Sequence, residues 1–543
     1  MTLGFFALLV MLVFISQDKK SPTPRFEHSY FKSAHHELYF YNLNMTIDFN
    51  ESKWYGSIDL SLKSKIKALS TINLDMHSQK IKQVQLLNWP NKEENNNSLG
   101  FLIVETEATQ AGLGQVLTIN MPSNFCGFQC MDAAFVIRVI FETNSTLNGE
   151  GNNFFSPQQT FDATYYFYYS YFYPIFCRQF VPIHDSMLLR ATYNATIYVP
   201  KGYMVWMSAD NIGNESLILE NEEFTVFYFS QSIPISSYLL NLAVGVLYEE
   251  KISNNHNISI LFEKKNAGLI GIKRIKEHFD EYLNIMEKLL FPLPFNNTKI
   301  MLMPKSFPDL WLFSPQLIFI SSADFDIEKI SFMVITYYFS VYVQIPDWSF
   351  LYLMYGYTEY ILYKVLEQLD EDDAIARLNS SVYDFNLDLI FNKQRPEFIY
   401  LTELQPNLFG ISPVEFSEYT QSQKKGLFFF IHIEKIMEKG DFLNFTAHFL
   451  NIHKFDTVDS QIFQNDLLAF FNTDNKYKFN GLEQRKQIDW RSWLTGRGYI
   501  PWLPTNLTSV SLERGMAVAR EFIYEGKFDR NNFDQMNRRE KVN

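Results

Sequence analysis

The sequence is short of most features that announce a function. Three cysteines in 543 residues exclude a disulfide scaffold, and with no C-x-x-C pair there is no zinc ribbon. Cys126 and Cys130 are spaced to close a small loop with Cys177 left over, and three buried free thiols is the alternative. Basic charge is in deficit: 47 Lys and Arg against 60 Asp and Glu leave a net charge of −13, which argues against a nucleic-acid partner. There is no G-x-G-x-x-G, Walker, kinase or G-x-S-x-G signature and no internal repeat. The ten histidines offer only two close pairs. His35 and His36 fall on opposite faces of a strand, and His448 and His453 are off the i, i+4 spacing that a helical metal pair needs. The acidic run from Leu369 to Ala374 lacks the spacing and central glycine of a calcium loop and reads as a solvated helix–helix turn.

What is abundant is apolar and aromatic. Hydrophobic residues make up 47%, with 52 Phe and 31 Tyr, enough for a large core and for apolar surface that needs a protein partner. The length implies roughly two to four domains of ~100–200 residues.

Leu3–Ile15 is apolar throughout except Gly4. As a helix it rises only ~20 Å against a ~30 Å hydrocarbon core, which suits a signal peptide. No basic residue precedes it and no small-x-small cleavage site follows it, so a short, uncleaved anchor is the competing reading. A retained segment would be helical, with Lys19 and Lys20 at the interface. Asn-x-Ser/Thr acceptors occur at Asn44, Asn50, Asn96, Asn144, Asn194, Asn214, Asn257, Asn296, Asn379, Asn444 and Asn506. Together these features lead to the expectation of a membrane-associated protein of the secretory pathway or cell surface. Lys19 and Lys20 pull toward the alternative, a mitochondrial membrane.

The expected organisation is an apolar segment over 1–16, a polar tether over 17–35, a β-sandwich over 36–247, a mixed helical and sheet domain over 248–504 and a basic polar tail over 505–543. Short alternating segments such as LYFYNLNMTIDF and ATYNATIYV predict antiparallel strands in the first domain. Beyond Glu250 apolar positions recur at helical spacing. Helices are expected over Gly271–Leu290, over Phe325–Leu369 with a break near Pro346, and over Gly426–Lys439 and Asp459–Phe471.

Several stretches in order resemble the gluzincin zinc aminopeptidases, in particular the leukotriene hydrolase and aminopeptidase B branch. They are Tyr55-Gly56-Ser57-Ile58, Ile72 to Asp75, Cys177-Arg178 with Pro182 and Asp185, and Trp206 to Ala209. Ile233 to Leu247, Ser306-Phe307-Pro308, Asp489-Trp490, Trp493-Leu494 and the terminal PWLP complete the series. The resemblance spans residues 36–505. It implies an α+β fold, with an antiparallel β-sandwich followed by a thermolysin-like domain, and a C-terminal helical repeat domain absent or truncated.

The family's chemistry needs H-E-x-x-H on one helix and a glutamate on the next, with zinc activating water. The resemblance puts the two histidine positions on Tyr337 and Val341, the general base on Tyr338 and the third ligand on Tyr355, with the spacing between helices about five residues short. The amine-binding glutamate falls on Phe313 in the stretch from Leu310 to Ser314. The oxyanion-stabilising tyrosine falls on Gln423, and two substrate-contacting glutamines fall on Tyr171 and Tyr173. On this reading the zinc site is lost and there is no cofactor. The expected protein is a catalytically inactive, aminopeptidase-like component of a membrane-associated assembly with other subunits. An active hydrolase using an unrecognised site and a peptide-binding receptor that keeps the cleft are the alternatives. The large side chains are further expected to fill the old cavity rather than leave it open.

Overall fold

Strict alternation builds the first half of the molecule. In the strand Ala191–Pro200 the side chains of Ala191, Tyr193, Ala195, Ile197 and Val199 are buried while the residues between them face outward. In the computed structural model the described residues are 29, 35–505, 507, 513 and 517, less 88–97, 106–113, 123–124, 126–129, 146–149, 220, 267–269, 296, 309–310, 394–395, 409–420, 438–439 and 474–487. The apolar segment 1–16, most of the tether, nearly all of the tail, Cys126, Asn96, Asn296 and Asn506 lie outside them.

The strands to Gly245 form three sheets. The largest has seven strands, in the order Asp210–Leu219, Glu222–Ile235, Ala191–Pro200, His36–Asp48, Lys53–Ser64, Ala134–Glu142 and Lys80–Leu86. Its pairings are antiparallel except His36–Asp48 against Ala191–Pro200, where Phe40 sits opposite Thr192 in parallel register. A four-stranded sheet (152–155, 167–170, 242–245, 204–207) and a three-stranded one (71–76, 115–120, 101–105) complete this β-rich half. The turn beginning at Cys177 is held by a buried ion pair, Arg178 Nε to Asp185 Oδ2 at 3.0 Å. Ser237 Oγ also donates to Asp185 Oδ1 at 2.6 Å, so the pair has the extra hydrogen bond a buried charge needs.

From Tyr248 the texture changes. A five-stranded mixed sheet carries three mutually parallel strands, Asn257–Phe262, Asn297–Leu302 and Leu317–Ile320, edged by the antiparallel Tyr248–Lys251 and Trp311–Ser314. Helix α1 (Ile270–Leu289) is the crossover between the first two parallel strands. Helices α2 (Ile327–Tyr337), α3 (Tyr357–Leu369), α4 (Glu371–Lys393), α5 (Gln421–Met437), α6 (Asp441–Ile452), α7 (Ser460–Thr473) and α8 (Trp490–Thr495) follow. The expected break near Pro346 is wider than a kink. The chain passes through π-helical turns at Tyr338–Tyr342 and Tyr352–Gly356 on either side of a short extended segment. The acidic run is the Asp370 cap and first turn of α4, where Asp370 Oδ1 accepts from the Asp372 amide at 2.9 Å.

Two glycines let α5 cross the second π turn closely. A Cβ on Gly426 would stand 2.7 Å from the Cα of Gly356. Both neighbours are backbone, so neither can swing aside. Gly426→Ala is expected to lose about 1–3 kcal/mol to overpacking, less about 1 kcal/mol of regained helix propensity. A chemical-denaturation midpoint equal to or above that of the parent chain would refute this.

Cys130 is disulfide-bonded, and Cys177 is a free thiol whose burial pushes it up from its ordinary range. Of the glycan acceptors, Asn44, Asn50, Asn194, Asn214, Asn257 and Asn444 are exposed, while Asn144 and Asn379 are half-buried. The Asn379 side chain donates to the Ile375 carbonyl at 3.4 Å, within α4. Among the described residues no helix is long and apolar enough to cross a membrane. The apolar segment expected to make such an attachment, Leu3–Ile15, lies outside those residues.

Candidate active-site junction

The region where the family's reaction centre is expected is packed with aromatic rings. Tyr355, from the second π turn, is 8% exposed. Its ring meets Trp311 at 5.9 Å and Phe313 at 6.3 Å, both edge-on, and lies nearly parallel to Phe332 at 6.1 Å. A second group joins it from the β-rich half: Tyr173 and Tyr238 each meet Trp348 edge-on, at 5.0 and 5.3 Å. Burial, and next the neighbouring Tyr173, hold the Tyr355 phenol well above its ordinary range, so it stays protonated at neutral pH. Phe313 is buried and carries no charge for an amine. Tyr171 is only partly buried at the edge of the same core.

Tyr337 and Tyr338 do not join this group. Tyr337 packs edge-on against Phe295 at 5.5 Å. Tyr338 turns to α1's end, where its hydroxyl donates to the Phe291 carbonyl at 2.6 Å. Val341 is buried in the first π turn. The residue of α2 that stacks on Tyr355 is Phe332, five residues before Tyr337. That offset equals the spacing deficit noted in the sequence. In the shifted register the residues standing at the first ligand, the general base and the second ligand are Phe332, Met333 and Thr336. The Thr336 hydroxyl is already committed to the Phe332 carbonyl at 2.8 Å. Sequence reasoning missed Phe332 because helical periodicity says which residues share a face and not which face meets a distant turn.

Neither register fits a zinc ion. Zinc takes imidazole, thiolate or carboxylate donors, and the side chains here are phenols, phenyl rings, an isopropyl, a thioether and a used hydroxyl. Among the described residues no group of three or more His, Cys, Asp and Glu is placed to hold a metal.

Ionised groups gather at one edge of the aromatic set. Arg377 is clamped between Glu359, at 2.7 Å, and Glu328, at 3.0 Å. Gln423 donates to Glu359, which turns it away from any oxyanion role at Tyr355. Lys329 stands 4.4 Å above the Trp311 ring, and burial lowers its ammonium below the usual lysine range.

Against known proteins, residues 37–239 match the Peptidase M1 N-terminal domain. The chain is 24% identical over 476 residues to leucine aminopeptidase 2 of Emericella nidulans, a match covering 85% of this chain and 70% of that protein. It is 23% identical over 473 residues to leukotriene A-4 hydrolase of Xenopus laevis, covering 85% and 72%. The structure superposes on yeast LTA4 hydrolase in complex with bestatin with a TM-score of 0.81 at 18% identity, over 98% of this chain and 80% of that one. It matches the M1 zinc metallopeptidase of Deinococcus radiodurans at 0.63 and 15% identity, over 88% and 96%.

These relatives correct four expectations. The readings as a non-enzyme and as a protein without a cofactor are overturned, because the relatives and structural neighbours are named as aminopeptidases, hydrolases and zinc metallopeptidases, which points to an enzyme and to zinc as the family's metal. The readings as a membrane-bound subunit and as a resident of a secretory or mitochondrial membrane are withdrawn, since no relative's name carries them and no described helix spans a membrane. The side chains of the aromatic junction still offer zinc no donor set. Domain match, relatives and fold together support the gluzincin (M1) zinc aminopeptidase family, leukotriene A4 hydrolase branch, as the group this chain resembles.

Proposed function

We propose that this protein acts on peptides, in the manner its relatives' names describe, and that the peptide meets the aromatic floor at the junction. One observation supports the placing. The buried rings end at the partly exposed Trp311, beside Lys329 and the Glu328–Arg377–Glu359 cluster. An apolar floor with a few ionised groups at its rim is the usual make-up of a small-ligand site. Apolar side chains of a peptide would lie on Trp311, and the rim would read its charged end.

The test incubates the full-length protein with a defined peptide mixture, follows the products by mass spectrometry, and measures bound metals on the same preparation. Binding or cleavage of peptides with apolar first residues is expected, weakened about tenfold in Trp311→Ala, the scale of a well-placed aromatic contact of ~1.4 kcal/mol. Cleavage accompanied by a bound metal would locate the hydrolytic centre away from Tyr355. A mixture that is neither bound nor cleaved by folded protein would overturn the reading.

A further inference from the structure

Behind the aromatic floor, polar atoms sealed from solvent are left without hydrogen-bond partners. They are the hydroxyl of Tyr238, Nη1 of Arg190 and Oε1 of Gln344, and beside them the Tyr173 hydroxyl is shared only with that of Tyr355. Short links place them in one neighbourhood. The Tyr173 and Tyr238 rings are 6.1 Å apart and share Trp348 as a wall. Gln344 Nε2 donates to Ser236 Oγ at 2.7 Å and to the Met187 carbonyl, two residues before Tyr238 and three before Arg190. The other guanidinium nitrogen of Arg190, Nη2, is spent on the Phe455 carbonyl. Among the described residues no carboxylate lies within ion-pair distance of Arg190. Burial, the largest influence, accordingly holds its guanidinium below the usual range, with Asp456 as a partial counterweight.

The unmet groups are unbalanced in sign. Arg190 Nη1 brings two N–H donors and Tyr238 one O–H, with Gln344 Oε1 and the phenol oxygen as acceptors, and the one formal charge among these groups is the guanidinium's. Buried polar groups left unmet in a native protein generally answer to a water or an ion. Water can accept from these donors but does not compensate the buried guanidinium charge. A carboxylate does, because it accepts at two oxygens and supplies the charge that Arg190 lacks. The walls around the donors are the rings of Trp348, Tyr173 and Tyr238, which suit an organic body more than a fully hydrated ion.

We infer that Arg190, Tyr173 and Tyr238 form a buried recognition site for a carboxylate carried on a small apolar or aromatic group, at the seam between the β-rich and helical halves. Arg190 is half-buried, so the ligand approaches from its side. The site stands apart from the peptide reading: it needs neither Trp311 nor Lys329.

The full chain is titrated with benzoate, acetate and inorganic phosphate at constant ionic strength, and its melting midpoint is followed. Benzoate should raise the midpoint saturably and at lower concentration than acetate, with phosphate inert. Tyr238→Phe keeps the ring and removes one donor. It should weaken benzoate about ten- to a hundredfold, as expected for a hydrogen bond to a charged group. Arg190→Gln should abolish the response. Should Arg190→Gln fail to fold, Tyr238→Phe alone decides. A flat benzoate titration, or an unchanged one in Tyr238→Phe, overturns the site, and a response to phosphate alone overturns its assignment to carboxylates.

Discussion

Truncating Tyr337 and Tyr355 together to alanine should destabilise the helical half severely. Each ring is buried, and replacing a buried aromatic by alanine costs about 3–5 kcal/mol through lost transfer and the cavity left behind. The two sites share no ring neighbour: Tyr337 packs on Phe295, and Tyr355 on Trp311, Phe313 and Phe332. Their costs should therefore come close to adding. Two single variants and the double variant, compared by urea midpoint, check this. Tyr355→Phe belongs in the set, because it keeps the ring and should retain most of the stability. A double variant within about 1 kcal/mol of the parent would mean that the rings line open, hydrated space, and the filled-junction account would fall.

The second large effect is a loss of stability in mild acid. His36 and His184, 148 positions apart, meet with their Nε2 atoms 3.0 Å from one another, and both are buried. One nitrogen must donate and the other accept, so the pair is neutral. Burial is the first cause that lowers both imidazoles to about 3. For His36 the charges of His184, His35 and Lys65 add to it, while a hydrogen bond that His184 donates to the Asn73 backbone works against it at His184. The folded values lie below the ordinary 6.5, so the unfolded chain binds more protons between those two limits. The contribution is complete above pH ~6.5 and drains away as pH falls toward 3. At pH 5 the loss is about 2 kcal/mol for each imidazole. Denaturation midpoints at pH 7.5 and 5 for the parent chain and for His184→Asn give the measurement. Carboxylates titrate in the same range, so the difference between the two chains is the quantity that matters. Equal pH sensitivity would remove the pair from the explanation.

Much of the fold was readable along the chain. The alternation in Ala191–Pro200 and His36–Asp48 needs only the two-residue period of a strand. The helix expected over Gly271–Leu290 is found at Ile270–Leu289, and that over Asp459–Phe471 at Ser460–Thr473. The helix at 371–393 went unread because its apolar positions are too few and scattered to mark one face. The site was less legible. The family resemblance led to Tyr355 and Phe313, whose rings lie 6.3 Å apart. It put Tyr337 opposite them, and that failed because the two π turns and the short extended segment between α2 and α3 reset the register.

By itself, then, the sequence determined the order of strands and helices and the family resemblance, since each depends on residue identity and local period. The tertiary structure alone decided that Phe332 and not Tyr337 faces Tyr355, that His36 finds His184, and that Arg190 stands beside Tyr238 with no carboxylate at ion-pair distance among the described residues. Those meetings join residues far apart in the chain, and no local preference encodes them. They are fixed by how one buried surface closes on another, which only the folded chain specifies.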